Sequence, residues 1–306
     1  MAIPVIDFSK LDGEKRAETL AKIHNGCEEW GFFQLVNHGI PVELLERVKK
    51  VCSECFKLER EEKFKDSDPI HLLNEIVDQG ADKKLDNVDW EDVFVLHDDN
   101  QWPSQPPEFK ETMKEYREEL RKLGEKVMEV MDENLGLEKG YIMKAFSGED
   151  GEPFFGTKVS HYPPCPQPEL VKGLRAHTDA GGVILLFQDD QVGGLQILKD
   201  DQWIDVQPLA NSIVINTGDQ IEVLSNGRYK SVWHRVLVAT EGNRRSIASF
   251  YNPSLKATIA PAKKTSEDDA SLHSAYPEFI FGKYMEVYSK QKFMPKEPRF
   301  QAVKAM

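Results

Sequence analysis

His177 and Asp179 stand two residues apart in the stretch Arg175-Ala-His-Thr-Asp179. In an extended backbone, positions i and i+2 share a face. The imidazole and the carboxylate can therefore reach one point without help from the rest of the chain. A metal ion held there needs a third ligand. His234 is the candidate, in a run that reads as a strand, with Val232, Val236 and Val238 on its own face. Two His and one carboxylate on one side of an octahedral ion, with the other positions open, suit Fe(II). H-x-D alone is a weak signal in a chain with eight His and many Asp. Its weight rises here because the pair lies between β-rich runs and precedes Gly181-Gly182, which permits close backbone approach. A structural zinc site would usually offer four ligands including Cys, closed to solvent. Only Cys165, within Pro163-Pro-Cys-Pro166, is near in sequence. The other histidines, such as His24, His71, His97 and His273, read as surface or core residues.

A second constellation is Arg244-Arg-Ser246. Arg244 and Ser246 share one face of the strand that follows His234. The guanidinium is a planar fork matched to a carboxylate, and the hydroxyl adds a donor or acceptor. Away from a metal this is an ordinary surface Arg pair; beside one it reads as an anion clamp.

The elements that must carry these side chains are short and β-rich. From Phe155 onward, runs such as Thr157 to Tyr162, Val183 to Gln188, Ser212 to Thr217 and Ser246 to Tyr251 alternate with Gly, Asn and Asp turns. That texture predicts an antiparallel sandwich or barrel, and the lack of βαβ alternation excludes a Rossmann fold. Upstream, the pattern predicts a strand over Ile3 to Phe8, a helix over Gly13 to Trp30 and a buried strand over Gly31 to Val36. A second helix opens at Pro41, with Leu44, Leu45, Val48, Val51, Cys52 and Cys55 on its apolar face. Cys52-Ser-Glu-Cys55 is a C-x-x-C in form, but both thiols fall on that face, so a buried structural role is expected. Residues 66 to 107 read as a surface excursion with short elements around Leu72 to Val77 and Trp90 to Leu96. A long amphipathic helix then runs from Phe109 to Leu135 and stops at Gly136. The tail from Tyr276 to Met306 is helical in pattern. From Lys283 to Lys304 it is basic, which suggests a lid over an anionic site.

The chain is acidic, with a formal net charge of -13, which argues against nucleic acid and anionic membrane surfaces as partners. Its N-terminus lacks the pattern of a signal peptide, and its longest clean apolar run, Val183 to Phe187, is too short to span a bilayer. Four Cys without a secretion signal make no disulfide framework. A cytoplasmic enzyme is the expectation.

His177-Thr-Asp179, His234 and Arg244-x-Ser246 together resemble the pattern of the plant-type Fe(II)/2-oxoglutarate oxygenase superfamily. So do Ile3-Pro-Val-Ile-Asp-Phe8, Trp30-Gly-Phe-Phe-Gln-Leu-Val-Asn-His-Gly39 and Tyr162-Pro-Pro-Cys-Pro-Gln-Pro-Glu-Leu170. Within it, the chain most resembles the 1-aminocyclopropane-1-carboxylate oxidases. Phe155-Gly-Thr-Lys-Val-Ser160, Gly173 to Gly182, Asn216 to Lys230 and Lys296-Glu-Pro-Arg-Phe300 carry that closer likeness. Ser160 stands where many 2-oxoglutarate users have Asn, while Tyr162 is retained.

The resemblance implies a mixed α/β (α+β) fold: a double-stranded β-helix, or jelly roll, with flanking helices at both ends. It implies an N-terminal helical region over 1–154 whose strands extend the core sheet, an Fe(II)-binding core over 155–260 and a helical tail over 261–306. His177, Asp179 and His234 would bind Fe(II). Lys158, Arg175, Arg244 and Ser246 would serve catalysis and hold anions. Tyr162, Phe250, Lys292, Lys296 and Arg299 would complete the substrate and co-substrate surface. The implied reaction takes the amino acid substrate, dioxygen and ascorbate to ethylene, cyanide, carbon dioxide and dehydroascorbate, with bicarbonate or carbon dioxide as activator. The nearest other reading is a 2-oxoglutarate-dependent hydroxylase of a plant metabolite.

Overall fold

The computed structural model describes residues 1–80, 84–149, 151–188, 190–262 and 275–304. His273 and the last two residues of the tail lie outside them. The strands are β1 (Val5–Asp7), β2 (Phe32–Val36), β3 (Asp92–Leu96), β4 (Phe154–Tyr162), β5 (Leu174–His177), β6 (Val183–Gln188), β7 (Leu195–Lys199), β8 (Gln202–Asp205), β9 (Ile213–Thr217), β10 (His234–Val236), β11 (Arg244–Asn252), β12 (Thr258–Ile259) and β13 (Phe279–Ile280). The helices are α1 (Arg16–Asn25), α2 (Val42–Cys55), α3 (Glu61–Lys65), α4 (Asp68–Asp78), α5 (Phe109–Leu135), α6 (Tyr141–Ser147), α7 (Asp219–Leu224), α8 (Phe281–Gln291) and α9 (Glu297–Lys304).

A seven-stranded sheet runs in the order β1-β2-β9-β6-β11-β4-β3, antiparallel except where β1 lies parallel to β2. A four-stranded antiparallel sheet, β5-β10-β7-β8, faces it. The inner faces share an apolar layer made of Phe32, Tyr162 and Val214 from the large sheet with Leu174, Leu195, Ile197 and Val236 from the small one. This is the antiparallel sandwich expected from the turn-punctuated β runs, in the jelly-roll form that the family resemblance implied.

Alternation along the strands decides which residues reach the cavity between the sheets. On β11, Ile247 and Tyr251 join the core beneath the helices, while Arg244, Ser246, Ala248 and Phe250 line the cavity. On β4, Phe155 and Val159 face the helices, and Lys158, Ser160 and Tyr162 face the cavity. A shift of one residue in register would exchange the two sets. The outer face of the large sheet is covered by α5, whose buried Leu120, Leu123, Val127 and Met131 give it the apolar stripe read in the sequence. Gly136 ends that helix at φ +71°, a conformation glycine adopts without a Cβ penalty.

Three local expectations change. The first helix starts at Arg16, and its last turn, Gly26–Trp30, widens to π-type bonding. The short element expected around Trp90 to Leu96 is present as β3, but it is no surface excursion: it is the edge strand beside β4, and Trp90 is buried. Gly218-Asp219 is more than a turn, because it opens α7, a helix too short to show a period in sequence. Cys52 and Cys55 are buried on α2 as expected. Burial pushes the Cys55 thiol up to about 12 and raises that of Cys52 further, so neither is a ready thiolate. No helix among the described residues is long and apolar enough to cross a membrane.

Candidate metal centre

His177 ends β5 and His234 begins β10, and the two residues are direct register partners. Antiparallel pairing therefore sets one imidazole beside the other, with ring centroids 4.3 Å apart. Asp179 is in the turn that follows His177. Its Oδ1 lies 3.5 Å from His177 Nε2 and its Oδ2 lies 3.5 Å from His234 Nε2. One donor atom from each residue falls within 4.8 Å of the others. All three residues are under 9% exposed.

Backbone contacts define which nitrogen faces the centre. His177 Nδ1–H donates to the Arg175 carbonyl at 2.8 Å, and His234 Nδ1–H donates to the Val232 carbonyl at 3.1 Å. Each Nε2 is left with its lone pair aimed inward, the tautomer that ligates a metal. Burial, then the neighbouring His234, pulls the His177 pKa down to about 4. Burial opposes ionisation of Asp179, but the two imidazoles and Asn216 outweigh it and depress its pKa. Asn216 Nδ2 donates to Asp179 Oδ2 at 2.8 Å. Two imidazoles that present Nε2 and one carboxylate, buried and held from behind, fit an Fe(II) ion with positions open toward the cavity.

The turn carrying Asp179 is fixed by α7. Asp219 and Gln220 donate backbone N–H bonds to the carbonyls of Asp179 and Gly181, at 2.8 and 3.0 Å. Gln220 Nε2 also donates to the Ala180 carbonyl at 2.7 Å. A Cβ on Gly181 would meet the Asn252 side chain, and one on Gly182 would meet the Phe146 ring, so both positions require glycine.

The cavity holds about 240 Å³, and the triad lies in its wall. Lys158, Ser160, Tyr162, Arg244, Ser246, Phe250 and Lys292 also line it. Arg244 is buried, donates to Gln188 Oε1 at 3.0 Å and lies over the Tyr162 ring at 5.1 Å. Burial, then Lys158, lowers the Lys292 pKa.

Three expected site residues are placed elsewhere. Arg175 is outside the lining: it pairs with Asp89 at 2.9 Å and its guanidinium stacks on Phe293 at 3.8 Å. Lys296 Nζ turns to Glu222 Oε2 and the Ser231 carbonyl, at 2.6 and 2.7 Å. Arg299, wholly buried, reaches Thr178 Oγ1 at 2.9 Å and Asp219 Oδ2 at 3.2 Å. It also donates to the carbonyls of Gln291, Lys292 and Met294. These two tail cations pack behind the metal centre instead of capping its mouth, because buried carboxylates on α7 neutralise them there. Sequence reading also missed Asn216, Asp89 and Glu91. Asn216 stands in a quoted family stretch, but nothing in its local pattern points to Asp179.

Comparison with known proteins bears on this geometry. Residues 154–253 match the 2OG-Fe(II) oxygenase superfamily, and residues 3–118 match the N-terminal region described as that of a non-haem dioxygenase in morphine synthesis. The chain is 76% identical to a 1-aminocyclopropane-1-carboxylate oxidase of Musa acuminata, over 100% of both chains. It belongs to the 1-aminocyclopropane-1-carboxylate oxidase family. A second member, oxidase 5 of Arabidopsis thaliana, is 70% identical, again over 100% of both. Among solved structures, JOX2 in complex with 2OG, Fe and JA superposes with a TM-score of 0.80 at 36% identity, covering 99% of this chain and 89% of the other. Membership in this family, and the match of residues 154–253 to the 2OG-Fe(II) oxygenase superfamily, agree with the donor set His177, Asp179 and His234.

Proposed function

We propose that this chain is a non-haem Fe(II) oxidase that converts 1-aminocyclopropane-1-carboxylate and dioxygen, with ascorbate as reductant, to ethylene, cyanide, carbon dioxide and dehydroascorbate, the dioxygen being reduced to water. This is the last step of ethylene biosynthesis. The observation that carries the reading is full-length identity of 76% to an oxidase of that name, with the His-Asp-His cluster intact and buried. The small cavity supports it too. At about 240 Å³ it lies below the roughly 300–1,000 Å³ of pockets for drug-sized ligands, and it suits a compact amino acid.

His177, Asp179 and His234 would hold Fe(II), which supplies open coordination positions and the electron-transfer chemistry that activates dioxygen. Arg244 and Ser246, on one face of β11, bind and orient a carboxylate or bicarbonate. Lys158 and Lys292 bring positive charge to the same cavity for anionic ascorbate. Tyr162 and Phe250 are walls that exclude water. Arg175, held by Asp89, fixes Phe293 beside His177, with ring centroids 6.3 Å apart. Lys296 and Arg299 hold the tail in place. Ring strain in the substrate drives the fragmentation; the protein contributes position and charge.

The test is ethylene release by purified, iron-loaded protein. Ethylene that depends on ascorbate and rises with bicarbonate, without 2-oxoglutarate, is the expected result. Succinate formed from 2-oxoglutarate, with no ethylene, would replace this reading with the hydroxylase.

A further inference from the structure

We propose that Glu91 is a positioning residue of this site, holding Lys158 and Tyr162 in the orientation from which they face the cavity. The inference rests on the oxidase reading for the identity of the reaction, but not for its geometry. Glu91 is one residue before β3, next to the Asp92–His161 pair, and so falls level with Tyr162 on β4. Its side chain is 6% exposed. Lys158 Nζ lies 2.8 Å from both carboxylate oxygens, and the Tyr162 hydroxyl donates to Oε1 at 2.6 Å. Lys158 and Tyr162 are four residues apart on one strand face, so a single carboxylate bridges the two ends of the β4 wall, with Ser160 between them.

The alternatives for these groups are worse. A lysine stem is flexible, and without a partner its ammonium samples many rotamers. Lys292 enters the same cavity and repels Lys158, as the effect of Lys158 on Lys292 records. Asp179, Asp89 and Glu91 offset this crowding, and of the three Glu91 is the one bonded to Lys158 and Tyr162. A charge-assisted bond to each partner fixes both side chains before any ligand arrives. Glu91 itself is absent from the cavity lining, so it acts through Lys158 and Tyr162.

The experiment is a double-mutant cycle on the iron-loaded full chain, read beside a chemical probe that needs no turnover. Glu91→Ala is expected to lower kcat by about tenfold to a hundredfold, the effect of misplacing a side chain by about 1 Å. Glu91→Gln, which keeps an acceptor at the same reach, is expected to recover part of that loss. In a Lys158→Ala background, Glu91→Ala is expected to cost several-fold less than in the unmodified protein, the remainder being the part carried by Tyr162, because residues that share a contact are not additive. Limited acetylation with acetic anhydride, read by peptide mass spectrometry, is expected to label Lys158 several-fold faster in both Glu91 variants. Equal losses with and without Lys158, or unchanged Lys158 labelling, would overturn the proposal. If the Ala variant does not fold, the isosteric Gln variant carries the same cycle. Absence of ethylene from the unmodified protein would refute the oxidase reading instead, and the labelling result would still decide the role of Glu91.

Discussion

Replacing Arg299 with Met is expected to undock the tail, although the residue lies outside the cavity. The two side chains have similar length, so the change removes charge and donors more than volume. Arg299 and Asp219 are both fully buried and 3.2 Å apart. Removing one partner of a buried ion pair costs about 3–5 kcal/mol, since it strands the other charge. Asp219 would keep the bonds donated by Tyr284 and Ser231, each at 2.6 Å, but no cation in direct contact. The carbonyls of Gln291, Lys292 and Met294 would lose their shared donor, which frees the link between α8 and α9. Against a total stability of about 5–15 kcal/mol, the loss is large. Urea titration and limited trypsin digestion at pH 7.5 would measure it: a lower midpoint, and new cleavage at Lys290, Lys292 or Lys296. Burial already raises the Asp219 pKa in the intact protein. A raised carboxyl pKa disfavours the fold in full above that pKa, and the penalty fades as pH falls from it to the unfolded value of about 3.9. The deficit of the variant is therefore expected to shrink as the solution is acidified below the folded pKa of Asp219. Adding Asp219→Asn is expected to recover about half of it. A midpoint equal to that of the unmodified protein, with no new cleavage, would refute the argument.

Ala at His177, Asp179 or His234 is expected to abolish stoichiometric Fe(II) or Co(II) binding in calorimetry while circular dichroism stays unchanged; retained binding would remove that residue from the centre. All four cysteines are buried, and burial raises their thiol pKa values. A thiol reagent is therefore expected to find none in the native protein at pH 8 and all four in guanidinium; fast native labelling of Cys52 or Cys55 would revive a redox role. Burial lowers the His161 pKa, with Arg245 acting in the same direction and the bond from Nε2–H to Asn243 Oδ1, at 2.8 Å, opposing it. Neutral His161 contributes stability present above its unfolded pKa of about 6.5 and lost as pH falls toward the folded value. His161→Gln is expected to flatten the fall in Tm between pH 7 and pH 5, and an unchanged slope would rule this out.

What the sequence revealed, and what it concealed, follows from how local each signal is. The His177–Asp179 pair and the Arg244–Ser246 pair were legible because i and i+2 share a face of a strand. His234 was legible because its β-branched neighbours marked it as strand. An antiparallel sandwich or barrel followed from short runs and regular turns, and the family resemblance narrowed it to a jelly roll. The partners of the charges were not legible. Glu91 and Asp89 lie in an Asp- and Asn-rich stretch that looks solvated, yet β3 docks it onto β4 beside the cavity. A basic tail in an acidic chain suggested a lid. Lys296 and Arg299 instead find Glu222 and Asp219, 74 and 80 residues back in the chain, on a helix too short to announce itself. Pattern reports which face a side chain takes; it does not report which distant charge meets it there.

Arg299 grips Thr178, the residue between two of the metal ligands, from a point 121 residues further along the chain. That contact has a consequence in time. During synthesis at about 5–20 residues per second, Thr178 is made roughly 6–24 s before the residue that clasps it. Tyr288, whose hydroxyl donates to the Thr178 carbonyl at 2.7 Å, also comes late. The strands that carry the histidines can pair in that interval, and α7 can already hold the turn that carries Asp179. The tail then adds the bonds from Tyr288 and Arg299 to Thr178, so a chain that stalls before residue 288 keeps its ligands but lacks those two contacts behind them.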